Sequence, residues 1–206
     1  MVVENTSNRG GGSCYDFRDL NKISILCNDH NLKFHLDGAR LFNALAETDE
    51  TTYDAGKLFD SISICLSKGL GAPVGSILIG NHDFIKQGRR VRKVFGGAMR
   101  QAGFLAAAGI YALDHHIERL KEDHQRAKII GQFLPQCSFV NEVMPVDSNI
   151  IIFKLNEGTK EKEFIENLKS NGILVVGFGS QTIRMVTHLD FTDKHLDKLT
   201  TTLLSL

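Results

Sequence analysis

A strand-length apolar stretch at residues 61–66 runs directly into Ser67-Lys68-Gly69-Leu70-Gly71-Ala72-Pro73-Val74-Gly75-Ser76, and this junction constrains the fold more than any other feature of the chain. A run of roughly 4–8 apolar residues bounded by turn formers reads as a buried strand. In open α/β sheets, ligand groups sit just past the carboxyl ends of such strands. Lys68 occupies that position. An amine with a lowered pKa, set among small residues that let a planar ligand approach the backbone, can form a Schiff base with an aldehyde. A lysine beside glycines is more often a solvated turn residue, so spacing alone does not select the Schiff-base reading.

The rest of the chain alternates helix and strand signals. Asp16 is placed to cap a helix in which Phe17, Leu20, Ile23 and Leu26 or Cys27 recur at helical spacing, ending near residues 28–30. A strand is predicted over 32–36, ended by Asp37 and Gly38, and a helix over 39–47 with Leu41, Ala44 and Leu45 on one face. Residues 74–80 suggest a strand paired back on 61–66. Helices follow over 83–93 and 99–113, the second rich in alanine and glycine, which suits close packing against a neighbour. A long charged helix is predicted over 114–134, with Ile117, Leu120, His124, Ala127 and Ile130 or Gly131 along one stripe. Beyond it, strands at 149–155, 173–177 and 182–186 surround a helix over 160–170, and a last helix covers about 192–204. The expectation is an α/β fold: a partial large domain over 1–114 and a small α+β domain over 115–206. No internal repeat interrupts it.

Composition excludes several classes of function. Twenty-four basic residues balance 24 acidic ones in 206, which favours neither nucleic acid nor a membrane as partner. The local cluster Arg89, Arg90, Arg92 and Lys93 reads as the last turn of a helix, where cations complement the dipole. Cys14, Cys27, Cys65 and Cys137 lack the paired spacing of a metal or redox motif, and the 8 histidines include no pair flanking a glutamate on one helical face. No metal site is expected, and a reducing cytoplasm fits best. The N-terminus has no basic stretch followed by an apolar core, and no window is long enough to span a bilayer.

The second informative run is His35-Leu36-Asp37-Gly38-Ala39-Arg40, which puts an acid at a strand terminus and an arginine one helical turn later, both able to face the crevice above the sheet. Asp37 reads equally well as a helix N-cap. The order strand-Asp, strand-Lys, distant Arg is similar to that of pyridoxal phosphate enzymes of the aspartate aminotransferase type. The run from His35 to Ala44 resembles the signature of low-specificity threonine aldolases, members of the aromatic amino acid β-eliminating lyase and threonine aldolase family. Glu4-Asn5-Thr6, the Lys68 run, Arg92-Lys93-Val94-Phe95-Gly96-Gly97-Ala98-Met99-Arg100-Gln101 and Arg184-Met185-Val186-Thr187-His188 match in family order.

The resemblance implies a pyridoxal-phosphate-dependent transferase fold, represented here by the C-terminal part of its large domain and a small α+β domain. It implies that Lys68 carries the Schiff base to pyridoxal 5'-phosphate, that Asp37 pairs with the pyridinium nitrogen, and that Arg40 lies beside the phenolic oxygen and substrate carboxylate. Arg184 resembles a second carboxylate clamp, a task for which a planar guanidinium is suited. Lys93 and Arg100 match positions near the active site. The implied activity is retro-aldol cleavage of threonine and related β-hydroxy amino acids to glycine and an aldehyde, in a homo-oligomer (dimer or tetramer) with sites at subunit contacts. His35 is a further titratable group of the motif, read either as a participant or as a satisfied histidine.

The chain also departs from the family pattern. Family members begin well before the equivalent of Glu4, in a segment that carries a glycine-rich phosphate loop, a ring-stacking histidine and the first sheet strands. Gly10 to Gly12 have no predicted strand before them and read as a flexible turn. Ser7 stands where the family often has histidine. Three readings follow: a lyase whose N-terminal part is absent from the sequence, a shortened inactive family member acting as a binding or assembly partner, and a β-eliminating lyase or aminotransferase on the same cofactor.

Overall fold

Alternation with a period of two decides the first sheet. In the computed structural model, which describes residues 1–206, Ile62 and Ile64 of β3 (Ser61–Cys65) are buried while Ser61, Ser63 and Cys65 are only half-buried. β3 is flanked by β2 (His35–Gly38) and β4 (Ser76–Gly80), and β1 (Val2–Glu4) adds to the far side of β2, giving the order β1-β2-β3-β4. β1, β2 and β3 run parallel, and β4 returns antiparallel to β3 as its sequence suggested. These strands belong to a first unit comprising residues 1–6 and 14–120.

The strand expected over 32–36 begins later. Leu32 N–H donates to Cys27 O at 2.8 Å and Asn31 takes φ 54°, so residues 31–32 still finish α1 (Phe17–Asp29). Asp37 and Gly38 are strand residues and not its terminators. At Gly38 a Cβ would lie 2.9 Å from the Ser63 carbonyl oxygen, so only glycine fits this tightly packed strand end. Asp16 caps α1 as expected, accepting from Arg18 N–H at 2.8 Å. The helix expected over 39–47 is α2 (Leu41–Glu47), delayed because Ala39 N–H is taken by the Asp37 side chain. α3 (Thr52–Leu58) was not anticipated; Thr51 and Asp54 close a capping box at its start.

α4 (His82–Val94) is capped by Asn81, and α5 (Gly103–His115) follows the Gly96-Gly97 break. The single helix expected over 114–134 is two. His116 N–H bonds Ala112 O and ends α5, Leu120 N–H closes a turn on Ile117 O, and α6 (Leu120–Phe133) starts there. The first unit runs on to Leu120, and not only to residue 114, because Ala112, Leu113, Ile117 and Leu120 pack into its core. α5 does not bury the close-packed face its composition suggested: only Gly109 and Ala112 are buried, and Phe104 is 88% exposed. β4 likewise shows Ile77, Leu78 and Ile79 to solvent in succession.

The second unit comprises residues 7–13 and 121–206. Its sheet is antiparallel, in the order β5-β6-β8-β7, from β5 (Val140–Val143), β6 (Ile150–Leu155), β7 (Val176–Gly179) and β8 (Thr182–Val186). Ala127 and Ile130 of α6, Phe164 and Leu168 of α7 (Glu161–Ser170), and Leu199 and Leu203 of α8 (Asp193–Leu204) close over Ile151, Phe153 and Ile183. β5 was not anticipated, and β7 starts at Val176, so Ile173 to Val175 form a connection and not a strand. Gly10 to Gly12 are not a flexible turn. Gly12 N–H bonds Ser7 O at 2.8 Å, Ser148 Oγ donates to Gly12 O at 2.8 Å, and Gly11 and Gly12 hold φ of 73° and 82°. A strand, β1, does precede them, contrary to expectation.

Candidate functional site

Strand register places the polar residues of the first sheet on one side. Glu4 pairs with Asp37, Asp37 with Ser63, His35 with Ser61, and Cys65 with Ser76. Partners in register share a face, so these seven side chains, flanked by Val2 opposite His35 and Leu78 opposite Ser63, line one surface while Val3, Leu36, Ile62 and Ile64 fill the buried core on the other. The sheet therefore offers a floor of small polar groups, and its acid lies at the carboxyl end of a strand. Asp37 Oδ1 accepts Ala39 N–H at 3.1 Å in a local turn, and the N-cap of α2 is Arg40, so Asp37 does not cap that helix as the alternative reading had it. His35 Nδ1 is 2.8 Å from Ser61 Oγ, which makes it a satisfied histidine of this floor.

Lys68 follows the carboxyl end of β3, the strand adjacent and parallel to β2, which carries Asp37. Its side chain is exposed, but its backbone is fixed. Gly71 N–H bonds Lys68 O at 2.8 Å, Ala72 N–H bonds Leu66 O at 2.9 Å, and Leu66 N–H bonds Gly75 O at 3.0 Å. Gly71 adopts φ 71°, a left-handed conformation that suits glycine. Leu70 is buried and anchors the turn in the core. A Cβ on Gly69 would lie 3.0 Å from Leu120 Cδ2 and 3.3 Å from Asn43 Oδ1, so the small residues around Lys68 are needed for packing as well.

Sequence reasoning missed the group that holds this turn from outside. His116 Nδ1 lies 2.6 Å from Leu70 O. A carbonyl only accepts, so Nδ1 carries the proton and donates. Tyr111 meets the same ring edge-on at 5.5 Å between centroids. A separation of 46 residues between donor and acceptor leaves no local signal from which the contact could have been read.

Arg40 is brought to the same place. It stands at the N-cap of α2, half-buried, and shares a narrow cleft with Asn43, Cys65, Gly69 and Leu70. Lys93, in the last turn of α4, and Arg100, in the connection before α5, are exposed and do not line that cleft. Arg184 belongs to the second unit, on β8 opposite Ile152 and Val176. Its Nε is buried without a hydrogen-bond partner, and its guanidinium carbon lies 5.3 Å from the Phe178 ring centroid. A buried guanidinium nitrogen with an unused proton is suited to a carboxylate. No cluster of His, Cys, Asp or Glu could hold a metal ion, and all four cysteines are free.

Comparison with known proteins then bears on this arrangement. The family model described as beta-eliminating lyase matches residues 1–157. Low-specificity L-threonine aldolase 1 of Arabidopsis thaliana is 38% identical over 195 residues, covering 93% of this chain and 54% of its own length. The low specificity L-threonine aldolase of Escherichia coli K12 is 40% identical over 196 residues, covering 95% and 56%. The chain thus spans about half the length of the curated relatives it matches. Among solved structures, a putative L-allo-threonine aldolase from Listeria monocytogenes aligns with TM-score 0.82 at 22% identity over 99% of this chain and 60% of its own. An ornithine aminotransferase from Plasmodium yoelii aligns with TM-score 0.69 at 15% identity, over 99% and 55%. These likenesses establish the expected fold, common to threonine aldolases and such aminotransferases.

Proposed function

Because the chain belongs to the beta-eliminating lyase family, we propose that it carries the lysine-bearing part of a pyridoxal-phosphate-dependent lyase that cleaves threonine and related β-hydroxy amino acids to glycine and an aldehyde. One observation supports this most: Asp37 and Lys68 stand at the carboxyl ends of adjacent parallel strands, over a sheet face built of small polar residues. The donor set fits the cofactor. Lys68 would offer a primary amine to its aldehyde and Asp37 a carboxylate to its ring nitrogen, and Ser61, Ser63 and Cys65 on the same face are small. When bound, the cofactor supplies an electron sink for the bond between Cα and Cβ.

The protein's own contribution is orientation and charge. The Asp37 carboxylate holds a proton on the ring nitrogen, and Arg40 takes up negative charge beside the Lys68 turn. Arg184, which the family resemblance marks as a carboxylate clamp, has a planar guanidinium of the kind that would suit a substrate carboxylate. Lys93 and Arg100 belong to the same proposal as outer cationic residues. Restraint of the turn by Leu70 and His116 limits how far the Lys68 amine can wander. His35, already bonded to Ser61, contributes to the floor.

The proposal extends to a homo-oligomer (dimer or tetramer), a reading supported by the exposed Phe104, Ile110 and Tyr111 of α5, and to a cytoplasmic setting, supported by free thiols. No helix is long and apolar enough to cross a membrane. The test is product analysis with threonine and pyridoxal phosphate: glycine and acetaldehyde in equal amounts are expected, and Lys68→Ala should make neither. Ammonia and a keto acid would replace the aldol reading with elimination or transamination. Absence of any product together with absence of a cofactor absorbance band would leave an assembly role.

A further inference from the structure

We propose that the second unit carries its own binding site for a small organic carboxylate with a branched aliphatic or aromatic tail. A cavity of about 370 Å³ opens between α8 and the connection from α7 to β7. Its floor is apolar: Ile130, Met185 and Leu199 are buried there, and Ile173 packs against them. Leu174 stands at its mouth, 82% exposed.

The polar groups at the rim have hydrogen-bond roles that the backbone dictates. His195 Nδ1 accepts Thr192 N–H at 3.1 Å, and His188 Nδ1 accepts Asp190 N–H at 3.3 Å. A backbone amide can only donate, so each Nδ1 accepts, with Thr192 Oγ1 also 3.1 Å from that of His195, and Nε2 is the donor of each ring. Both rings therefore present a donor at their free edge. Lys198 adds a third, its Nζ lying 3.2 Å from where a Cβ on Gly172 would be, over backbone that carries no side chain. Donors of this kind around an apolar floor match a carboxylate head and an apolar tail. Asp190 on the same rim offers an acceptor, which suits an α-amino group on the carbon next to that carboxylate. The shared chemistry is thus an apolar carboxylic acid, and an apolar α-amino acid is the form that uses every rim group.

The test is titration of the 206-residue chain with 4-methylpentanoate and separately with leucine, following the imidazole proton resonances of His188 and His195. Saturable shifts with a Kd on the order of 1 mM are expected for a ligand of this size. Acetate, which keeps the charge but lacks the tail, and 4-methylpentanamide, which keeps the tail but lacks the charge, should each bind about tenfold more weakly or worse. Lys198→Glu should weaken 4-methylpentanoate by about tenfold or more, with thermal unfolding unchanged because its side chain is on the surface. Tighter binding of leucine than of 4-methylpentanoate assigns the amino acid as the ligand; the reverse assigns the simple acid. Lys68→Ala should leave the titration unchanged, since the cavity is lined only by residues 130–199. Absence of saturation, equal binding of acetate, indifference to Lys198→Glu, or loss of binding in Lys68→Ala would each overturn the proposal.

Discussion

The two four-stranded sheets are built from similar apolar material and put to opposite uses. In the second unit, β6 buries every residue from Ile150 to Phe153, and its apolar cluster includes side chains from three helices. In the first, the buried apolar side chains of β1 to β3 go to one face, and the other carries Glu4, His35, Asp37 and short hydroxyl or thiol groups beside the exposed Val2. A sheet that spends one face on stability and keeps the other polar has somewhere to hold a flat, charged ligand. A sheet buried along its central strand does not, and the polar groups that line the cavity of the second unit lie beyond the strands.

Removing the Lys68 amine should separate chemistry from folding most sharply. If the polar face is a reaction site, Lys68→Ala lowers glycine formation from threonine by a factor of about 10³ or more, while urea unfolding is unchanged because the side chain makes no core contact. Equal activity in the variant would remove the first sheet from the chemistry altogether. The opposite experiment belongs to the second sheet: Phe153→Ala deletes a fully buried ring that contacts Phe164 and should cost about 3–5 kcal/mol in urea unfolding. A loss below about 1 kcal/mol would mean that β6 does not carry the second core.

Gly38→Ala probes where the two uses of the first sheet meet. The added methyl would approach the Ser63 carbonyl oxygen to 2.9 Å, displacing β2 from β3 next to Asp37, at a cost of about 1–3 kcal/mol and with a fall in cofactor affinity. An unchanged unfolding midpoint would show that the strand ends are looser than their pairing implies. His116 allows a finer cut. Asparagine can place an amide nitrogen close to where Nδ1 lies, so His116→Asn should keep the bond to Leu70 O, whereas His116→Phe should lose about 1 kcal/mol and speed amide exchange at Gly71 and Ala72. Equal exchange in the two variants would mean that Leu70 alone fixes the turn.

Sequence reasoning read the residues that act locally and missed those that act across the chain. The β3 alternation, the Asp16 cap, the return of β4 and the turn around Lys68 all follow from neighbours a few positions apart. β1 escaped because three residues carry too little pattern, though Val3 is buried against the core. α3 did have a signal, Thr51 followed three residues later by Asp54, which the short helix made easy to pass over. The break after His115 could not be read, since Ile117 and Leu120 continue the apolar stripe across it, and what ends α5 is a cap whose imidazole serves a distant turn. The polar floor was legible only for His35 and Asp37; Ser61, Ser63 and Cys65 joined it through register, which a single sequence does not specify.

The smallest effect concerns the helix that covers the apolar side of the first sheet. Asp16 caps α1, and its carboxyl is lowered from 3.8 to about 2, first by the hydrogen bond from the Arg18 side chain and then by the Arg18 backbone N–H. A group whose pKa is depressed on folding stabilises the fold fully above its unfolded value and loses that contribution as pH falls through the folded one. Protection of the α1 amides should therefore hold above about pH 4 and decline toward pH 2, with a small amplitude because the pair is exposed and screened by salt. Asp16→Asn keeps a capping oxygen but cannot titrate, so it should flatten this dependence while the amides of the second sheet follow an unaltered acid profile. If Asp16→Asn leaves the acid loss in α1 unchanged, the loss arises from another carboxylate, for which Asp60 is the next choice in this unit. Its carboxyl is also lowered, by Lys33 and by the backbone N–H of Phe34, and it ties the approach to β2 to the start of β3.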